Sequence, residues 1–357
     1  MALQSEKVDW VPCALCDSSA AEVYLIGEDR QYRNEGSFSY VKCSNCGLVY
    51  LNPRPTPELL GEFYPIEEYY TYAPVSSQGH LEEIKDQMRM WVARNRMGYE
   101  RVACEERTSG AFEWMCCNFL FRVAFRLFRS KFRRILPYTE QGRILDIGCG
   151  AGDYLLFMKK LGWSAWGVEI EGSVCKMLRE RDVQMHHGEL HEAGFPDGFF
   201  DWVTMNHSLE HVPNPRAVLV EVRRILKPGG SVFIGVPNID SVQGRVFGSY
   251  WYFLGAPIHL SEFSAKTLGD MLKLAGLEID DVRFISGTQG ILGSTQYVFN
   301  SWVQKWRKEK VVSYALRDIF LARMISSPLA KLIDSIQMGD CIEVIARKPG
   351  VDGADES

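Results

Sequence analysis

Between Arg143 and Trp163 the chain reads RILDIGCGAGDYLLFMKKLGW, and no other stretch limits the fold as strongly. Ile144, Leu145 and Ile147 spell a buried strand, Gly148 to Gly152 a tight turn, and Tyr154 to Leu161 a helix with an apolar face. A strand that passes through glycines straight into a helix makes a cradle. Ligand atoms can approach its backbone closely, and the first helical N–H groups face any anionic group that enters. A dinucleotide fingerprint would need its third glycine at position 153, which is Asp153; the glycine stands at Gly152 instead, giving G-x-G-x-G.

The segments that follow extend this motif into a fold. SAWGVEI reads as a strand ending in Glu169, where a carboxylate can accept from both hydroxyls of a ribose. HHGEL then precedes the apolar run FPDGFFDWVTM, and RAVLVEVRRILKPGGSVFIGVPN supplies a helix, a turn at Lys227 to Gly230 and another buried strand. This alternation predicts an α/β, doubly wound, mainly parallel sheet with a ligand crevice at the C-terminal ends of its strands.

With 357 residues, 46% of them hydrophobic, the chain has room for one such domain and a small module. The module is expected at the front, where Cys13 and Cys16 form one C-x-x-C pair and Cys43 and Cys46 another. Four thiolates suit tetrahedral zinc, Gly47 suits a knuckle turn, and AEVYLIG and GSFSYVKC can pair as a hairpin between the knuckles. With all four positions filled by protein, the Zn2+ would be structural. The net charge of -5 argues against broad nucleic-acid binding. The first ten residues lack the pattern of a signal peptide and no apolar run reaches about 18 residues, so a cytoplasmic chain that does not span a membrane is expected.

NHSLEH, residues 206 to 211, carries the H-x-x-E-H pattern of a group of zinc peptidases in His207, Glu210 and His211. That pattern works on a continuous helix, and here a strand precedes it while Pro213 and Pro215 follow. A strand-end site is expected instead. His259, ahead of a helix that Ser264 can cap, is a further candidate. In FLFRVAFRLFRSKFRR, arginines and phenylalanines recur at helical spacing, so a basic amphipathic helix near 119–136 could meet an anionic membrane, or equally pack its phenylalanines on the core. Tyr250, Trp251 and Tyr252 suit stacking on a sugar or plain core packing.

LDIGCGAG, GVEI, HSLEHVPNP and RILKPGG in this order resemble the class I S-adenosylmethionine-dependent methyltransferases, with their Rossmann-like sheet. With the front cysteines and CGLVYLNPRP added, the chain is similar to the zinc-ribbon methyltransferases of bacterial sugar, polysaccharide and natural-product pathways. The resemblance implies that Asp146, Gly148, Cys149, Gly150 and Gly152 hold the methionine end of S-adenosyl-L-methionine, and that Glu169 and Ile170 meet its ribose. Glu189 and Leu190 would lie near its adenine, and Asn206 on the rim. Taken singly, Asp146 can be a turn cap, Glu169 a solvated acid and Glu189 a loop acid. Similar sugar C-methyltransferases use a Glu-His pair where this chain has Glu210-His211, with the histidine as base, but Ser208 stands where a tyrosine is expected. Quinone-pathway O-methyltransferases similar at this loop carry Glu-x-x-Glu-His and a divalent metal, with His207 here replacing the first carboxylate.

The organisation expected is a ribbon module and connection at 1–75, a helical linker at 76–137, a methyltransferase domain at 138–349 with a helical insertion at about 287–339, and a disordered tail at 350–357. The expected reaction is methyl transfer to a hydroxyl, or less readily a carbon, of a sugar or lipid-linked glycan acceptor, in the cytoplasm or at the inner membrane face. The rival readings are a quinone-like or natural-product acceptor, a docking protein with an idle cofactor pocket, and a zinc hydrolase.

Overall fold

The computed structural model describes residues 8–32, 34–63, 87–94, 97–99, 136–307 and 320–350. The basic helix read near 119–136, most of the linker around it, His80 and the tail from 351 onward lie outside these residues. Contacts divide the chain into two compact units, one built from Met1–Tyr69, Gly194–Phe199 and Val203–Ser357, the other from Tyr70–Ala193 and Phe200–Trp202.

The chain opens with β1 (Val8–Asp9), β2 (Ala21–Gly27), β3 (Phe38–Cys43), β4 (Val49–Leu51), β5 (Arg54–Pro55) and α1 (Pro57–Glu62). As the sequence suggests, β2 and β3 pair as an antiparallel hairpin, from Ala21 opposite Cys43 to Gly27 opposite Phe38. The next run is β6 (Arg143–Ile147), α2 (Asp153–Lys160), β7 (Ser164–Glu169), α3 (Gly172–Arg179), β8 (Gln184–His187) and β9 (Phe200–Asn206). It is followed by α4 (Pro215–Ile225), β10 (Leu226–Pro237), β11 (Ser261–Glu262), α5 (Ala265–Leu274), β12 (Glu278–Ile285), α6 (Thr288–Arg307), α7 (Phe320–Ser335) and β13 (Cys341–Arg347). α6 and α7 supply the helical insertion expected between the last two strands. Among the described residues no helix is long and apolar enough to cross a membrane.

Seven strands form a sheet in the order β12-β13-β10-β9-β6-β7-β8, the Rossmann-like α/β arrangement read from the sequence. In the second unit β6, β7 and β8 are parallel neighbours, with Asp146 opposite Gly167 and Val168 opposite His186. Their alternating apolar residues pack with α2 and α3 around Ile144, Leu155, Met158, Val174 and Leu178, all buried. Trp163 closes this core at one end, its Nε1 donating to the Tyr99 hydroxyl at 2.6 Å, which donates on to the Leu136 carbonyl at 3.0 Å.

In the first unit β13 runs antiparallel between β10 and β12. One sequence expectation needs correction here: Lys227 to Gly230, read as a turn, belongs to β10. The Gly229 N–H donates to the Lys348 carbonyl at 3.0 Å and the Lys348 N–H to the Gly230 carbonyl at 2.9 Å, so ladder bonds draw the segment into the strand while Gly229 keeps the left-handed φ of +77 that a turn would use. The ribbon hairpin gains a strand from far along the chain, since β11 pairs antiparallel with β4 in a four-stranded sheet ordered β11-β4-β3-β2. Phe38, Tyr40, Val49 and Leu51 accordingly share one buried cluster with Trp251, Leu254, Ile258 and Leu260. A module with little core of its own obtains one by packing on the segment before β11.

Candidate active site

The glycine turn after β6 and the end of β7 form the first candidate site. Gly148, Gly150 and Gly152 all have positive φ, and at Gly152, with φ +78, a Cβ would lie 2.4 Å from the Leu178 side chain. Close packing of the turn against α3 therefore demands glycine there. Gly152 caps α2, and the helix begins at Asp153, one residue earlier than its apolar pattern suggests. Glu169 is 5% exposed at the end of β7; its Oε2 accepts from the Gly150 N–H at 2.9 Å and its Oε1 from the Ile170 N–H at 2.8 Å. The carboxylate thus ties the end of β7 to the turn after β6. Asp146 is buried on β6, and Cys149 follows it in the glycine turn. Burial and then the charges of Asp146 and Glu169 push its thiol well above the usual range.

Leu190 is buried in a 3-10 turn beyond β8, while Glu189 is more than half exposed and its backbone N–H donates to Glu192 Oε2 at 2.8 Å. Ile170 is exposed at the crest of the β7 end. The turn, Glu169, Ile170, Glu189 and Leu190 all fall within the second unit.

The second cluster belongs to the first unit and starts where β9 ends. Asn206 is the last residue of that strand, and His207 turns the chain with φ +54, its N–H donating to the Gly235 carbonyl at 2.8 Å. Leu209–His211 forms a single 3-10 turn, so the H-x-x-E-H residues do not share a helix face and the peptidase geometry is absent. Glu210 pairs with His207, with 3.3 Å between Nδ1 and Oε1, rather than serving as the orienting partner expected for His211. Burial opposes charge on His207, but hydrogen bonds to Cys341 and Glu210 prevail and hold it up at about 10. Burial likewise opposes charge on Glu210, and the pairing with His207 leads the effects that bring it down to about 2. His207 is then a cation at neutral pH, paired with Glu210.

His211 is oriented from the other side. Its Nδ1 donates to the Ile258 carbonyl at 3.0 Å, so in the neutral ring the lone pair is on Nε2. Burial keeps it below its ordinary value. His259 meets it edge-on, ring centroids 4.7 Å apart, and is held down to about 3 by burial and then by His211. Gly255, with φ +56, is the close approach that allows this: a Cβ there would sit 2.5 Å from the His259 ring. The Tyr40 hydroxyl of the ribbon donates to the His259 carbonyl at 2.9 Å, and the Leu260 N–H donates to the Glu210 carbonyl at 2.8 Å. Ser264 caps α5 through a reciprocal box with Thr267, as its place in the sequence suggests.

Sequence reasoning missed Glu262. It is 1% exposed on β11, with Oε1 3.4 Å from His259 Nδ1, and burial followed by the charge of Glu210 pushes it well above the usual carboxylate range. Its position three residues after His259 was the available signal. The aromatic run is used in packing: Trp251 is buried and donates to Asp340 at 3.2 Å, Tyr250 lies under the Arg30 guanidinium at 3.9 Å, and Tyr252 packs on Tyr297.

The four front cysteines converge as their spacing implies, with Sγ atoms of Cys13 and Cys46 3.4 Å apart and those of Cys16 and Cys43 3.5 Å apart. Asp17 and Gly47 take left-handed φ after the two pairs, and their N–H groups donate back to the Cys13 and Cys43 carbonyls.

Residues 120–282 match a family model described as a methyltransferase domain. A demethylmenaquinone methyltransferase of Listeria welshimeri is 28% identical over 175 residues, covering 45% of this chain and 72% of that protein. The enzyme of the same name from Bacillus subtilis is 27% identical over 160 residues, covering 40% and 67%. A SAM-dependent methyltransferase structure from Archaeoglobus fulgidus covers 64% of this chain and 99% of its own, with 24% identity and a TM-score of 0.43.

Proposed function

We propose that this chain, a class I S-adenosylmethionine-dependent methyltransferase, moves the cofactor's methyl group to the oxygen of an acceptor hydroxyl whose proton is drawn off at the cluster of Glu210, His211 and His259. The observation that carries the reading is the Ile258 carbonyl on His211 Nδ1, which fixes a neutral tautomer with its lone pair on Nε2. In the transfer the sulfonium S–CH3 bond breaks and an O–CH3 bond forms. Sulfur keeps the bonding pair as S-adenosylhomocysteine, and the hydroxyl proton leaves to the cluster.

The glycine turn with Asp146 takes the methionine end of the cofactor, and Glu169 its ribose. Because Glu169 also accepts from Gly150 and Ile170, its loss removes a ligand contact and loosens the turn together. Calorimetric titration of S-adenosylhomocysteine should give an affinity of about micromolar for the native chain and at least about tenfold weaker binding for Glu169→Ala. An unchanged affinity in the variant would remove Glu169 from the cofactor site.

The acceptor is read as a sugar or glycan-precursor hydroxyl from the motif set with its cysteine module. A quinol-type ring acceptor is the second reading, supported by the two relatives named for demethylmenaquinone. Offering nucleotide-linked sugars, lipid-linked sugars and a reduced naphthoquinone to the same preparation separates them by which one is methylated. Zn2+ in the four thiolates is part of the proposal, as a structural ion; its support is the C-x-x-C spacing and the convergence of Cys13, Cys16, Cys43 and Cys46.

A further inference from the structure

The cluster after β9 holds buried polar atoms that no described residue satisfies. Glu210 Oε2, His259 Nδ1 and both carboxyl oxygens of Glu262 are inaccessible and lack a hydrogen-bond partner among the described residues. A buried polar atom left without a partner is costly, more so when it carries charge. His259 Nδ1 and Glu262 Oε1 face each other at 3.4 Å, which leaves Glu210 Oε2 as an acceptor that calls for an electropositive partner. His207 does not fill the role, because it already pairs with the other oxygen of Glu210.

We propose that Glu210, His211 and His259 are the ligands of a divalent first-row transition ion, supported from behind by Glu262 and the Ile258 carbonyl. A carboxylate oxygen and one ring nitrogen from each histidine lie within 4.8 Å of one another. The surroundings repeat what metal-bound imidazoles need, a backbone carbonyl or a carboxylate on the nitrogen that does not hold the ion. His211 has the Ile258 carbonyl at 3.0 Å and His259 has Glu262 at 3.4 Å. A histidine acting alone on a proton would not require the buried carboxyl of Glu262. Two nitrogens and one oxygen suit manganese, iron, cobalt or zinc and disfavour magnesium, which prefers all-oxygen surroundings. The donor set uses His259 in place of His207, so it is not the peptidase pattern of the loop.

The inference deepens the methyl-transfer reading and rests on it for what the ion does. Three protein ligands would leave coordination positions open, and an ion held there would make an acceptor hydroxyl more acidic, so that its proton would leave to water in place of direct transfer to the ring. The lone pair of His211 then acts through the ion.

The test is titration of Mn2+ into the full chain carrying its ribbon zinc, followed by the electron paramagnetic resonance signal of the free ion. Manganese does not compete for thiolates. One equivalent per chain is expected to bind. His259→Gln and Glu210→Gln should weaken it by at least about 100-fold, and Glu262→Gln by roughly 10- to 100-fold, as for other outer partners of metal ligands. The melting curve and far-ultraviolet circular dichroism of each variant report whether the unit that bears these residues is folded. Native chain that binds S-adenosylhomocysteine but no Mn2+, or a His259→Gln chain that binds Mn2+ as tightly as the native one, overturns the site. Turnover that survives chelation in a chain without Mn2+ binding would remove the ion and leave the methyl-transfer reading standing. Tight Mn2+ binding with no methylation of any acceptor would do the reverse.

Discussion

Cys43→Ser is expected to lower the melting temperature by roughly 10 °C or more and to abolish methyl transfer, while S-adenosylhomocysteine still binds. A structural zinc contributes on the order of 10 kcal/mol to the fold around it, and a serine oxygen is a poor substitute for thiolate. Cys43 ends β3, β3 carries β4, and β4 carries β11. Through that succession, and through the Tyr40 hydroxyl on the His259 carbonyl, the ribbon supports the segment that bears His259 and Glu262. The glycine turn and Glu169 belong to the other unit and have their own core, so cofactor affinity should persist. Melting curves, zinc content and turnover on one preparation check this. A chain that has lost its zinc yet methylates at the native rate would refute the structural role given to the ribbon.

His211→Ala should reduce turnover by about 1,000-fold with cofactor affinity changed less than about twofold. The effect is expected in kcat because the role proposed for the ring, as base or as ligand of the ion, concerns the acceptor's proton and not the nucleoside. His207→Gln is the contrasting variant. It removes the cation paired with Glu210 and should cost stability first, since it leaves a buried carboxylate oxygen without its partner. Full turnover by His211→Ala with the true acceptor would exclude His211 from the chemistry.

The strand, glycine turn and helix that carry the residues proposed for the cofactor were legible in the sequence because their determinants are local. They follow one another within Arg143 to Leu161, and Glu169 closes the next strand. The cluster after β9 was legible as a set of residues and not as an arrangement. His211 and His259 could be named, but the partner that sets the His211 tautomer is a main-chain carbonyl 47 residues away, which side-chain patterns do not reveal. Glu210 looked like the natural companion of its neighbour His211, yet the left-handed turn at His207 brings it to His207 instead. Glu262 sits on a strand of two residues, too short to leave a periodic signature, that exists because β4 is there to pair with it. The Lys-Pro-Gly-Gly segment misled for a related reason, since its ladder partner, Lys348, lies more than a hundred residues downstream.

The pairing of β4 with β11 also sets an order of events during folding. Tyr50 faces Ser261 across a loop of about two hundred residues, whereas Asp146 and Gly167 meet across about twenty. Closing the longer loop costs more chain entropy and is rewarded only once the ribbon hairpin is in place. A refolding chain should therefore regain its grip on the nucleoside before it regains chemistry. In the interval it would be a cofactor-binding protein in which the His211–His259 pair has not yet been assembled.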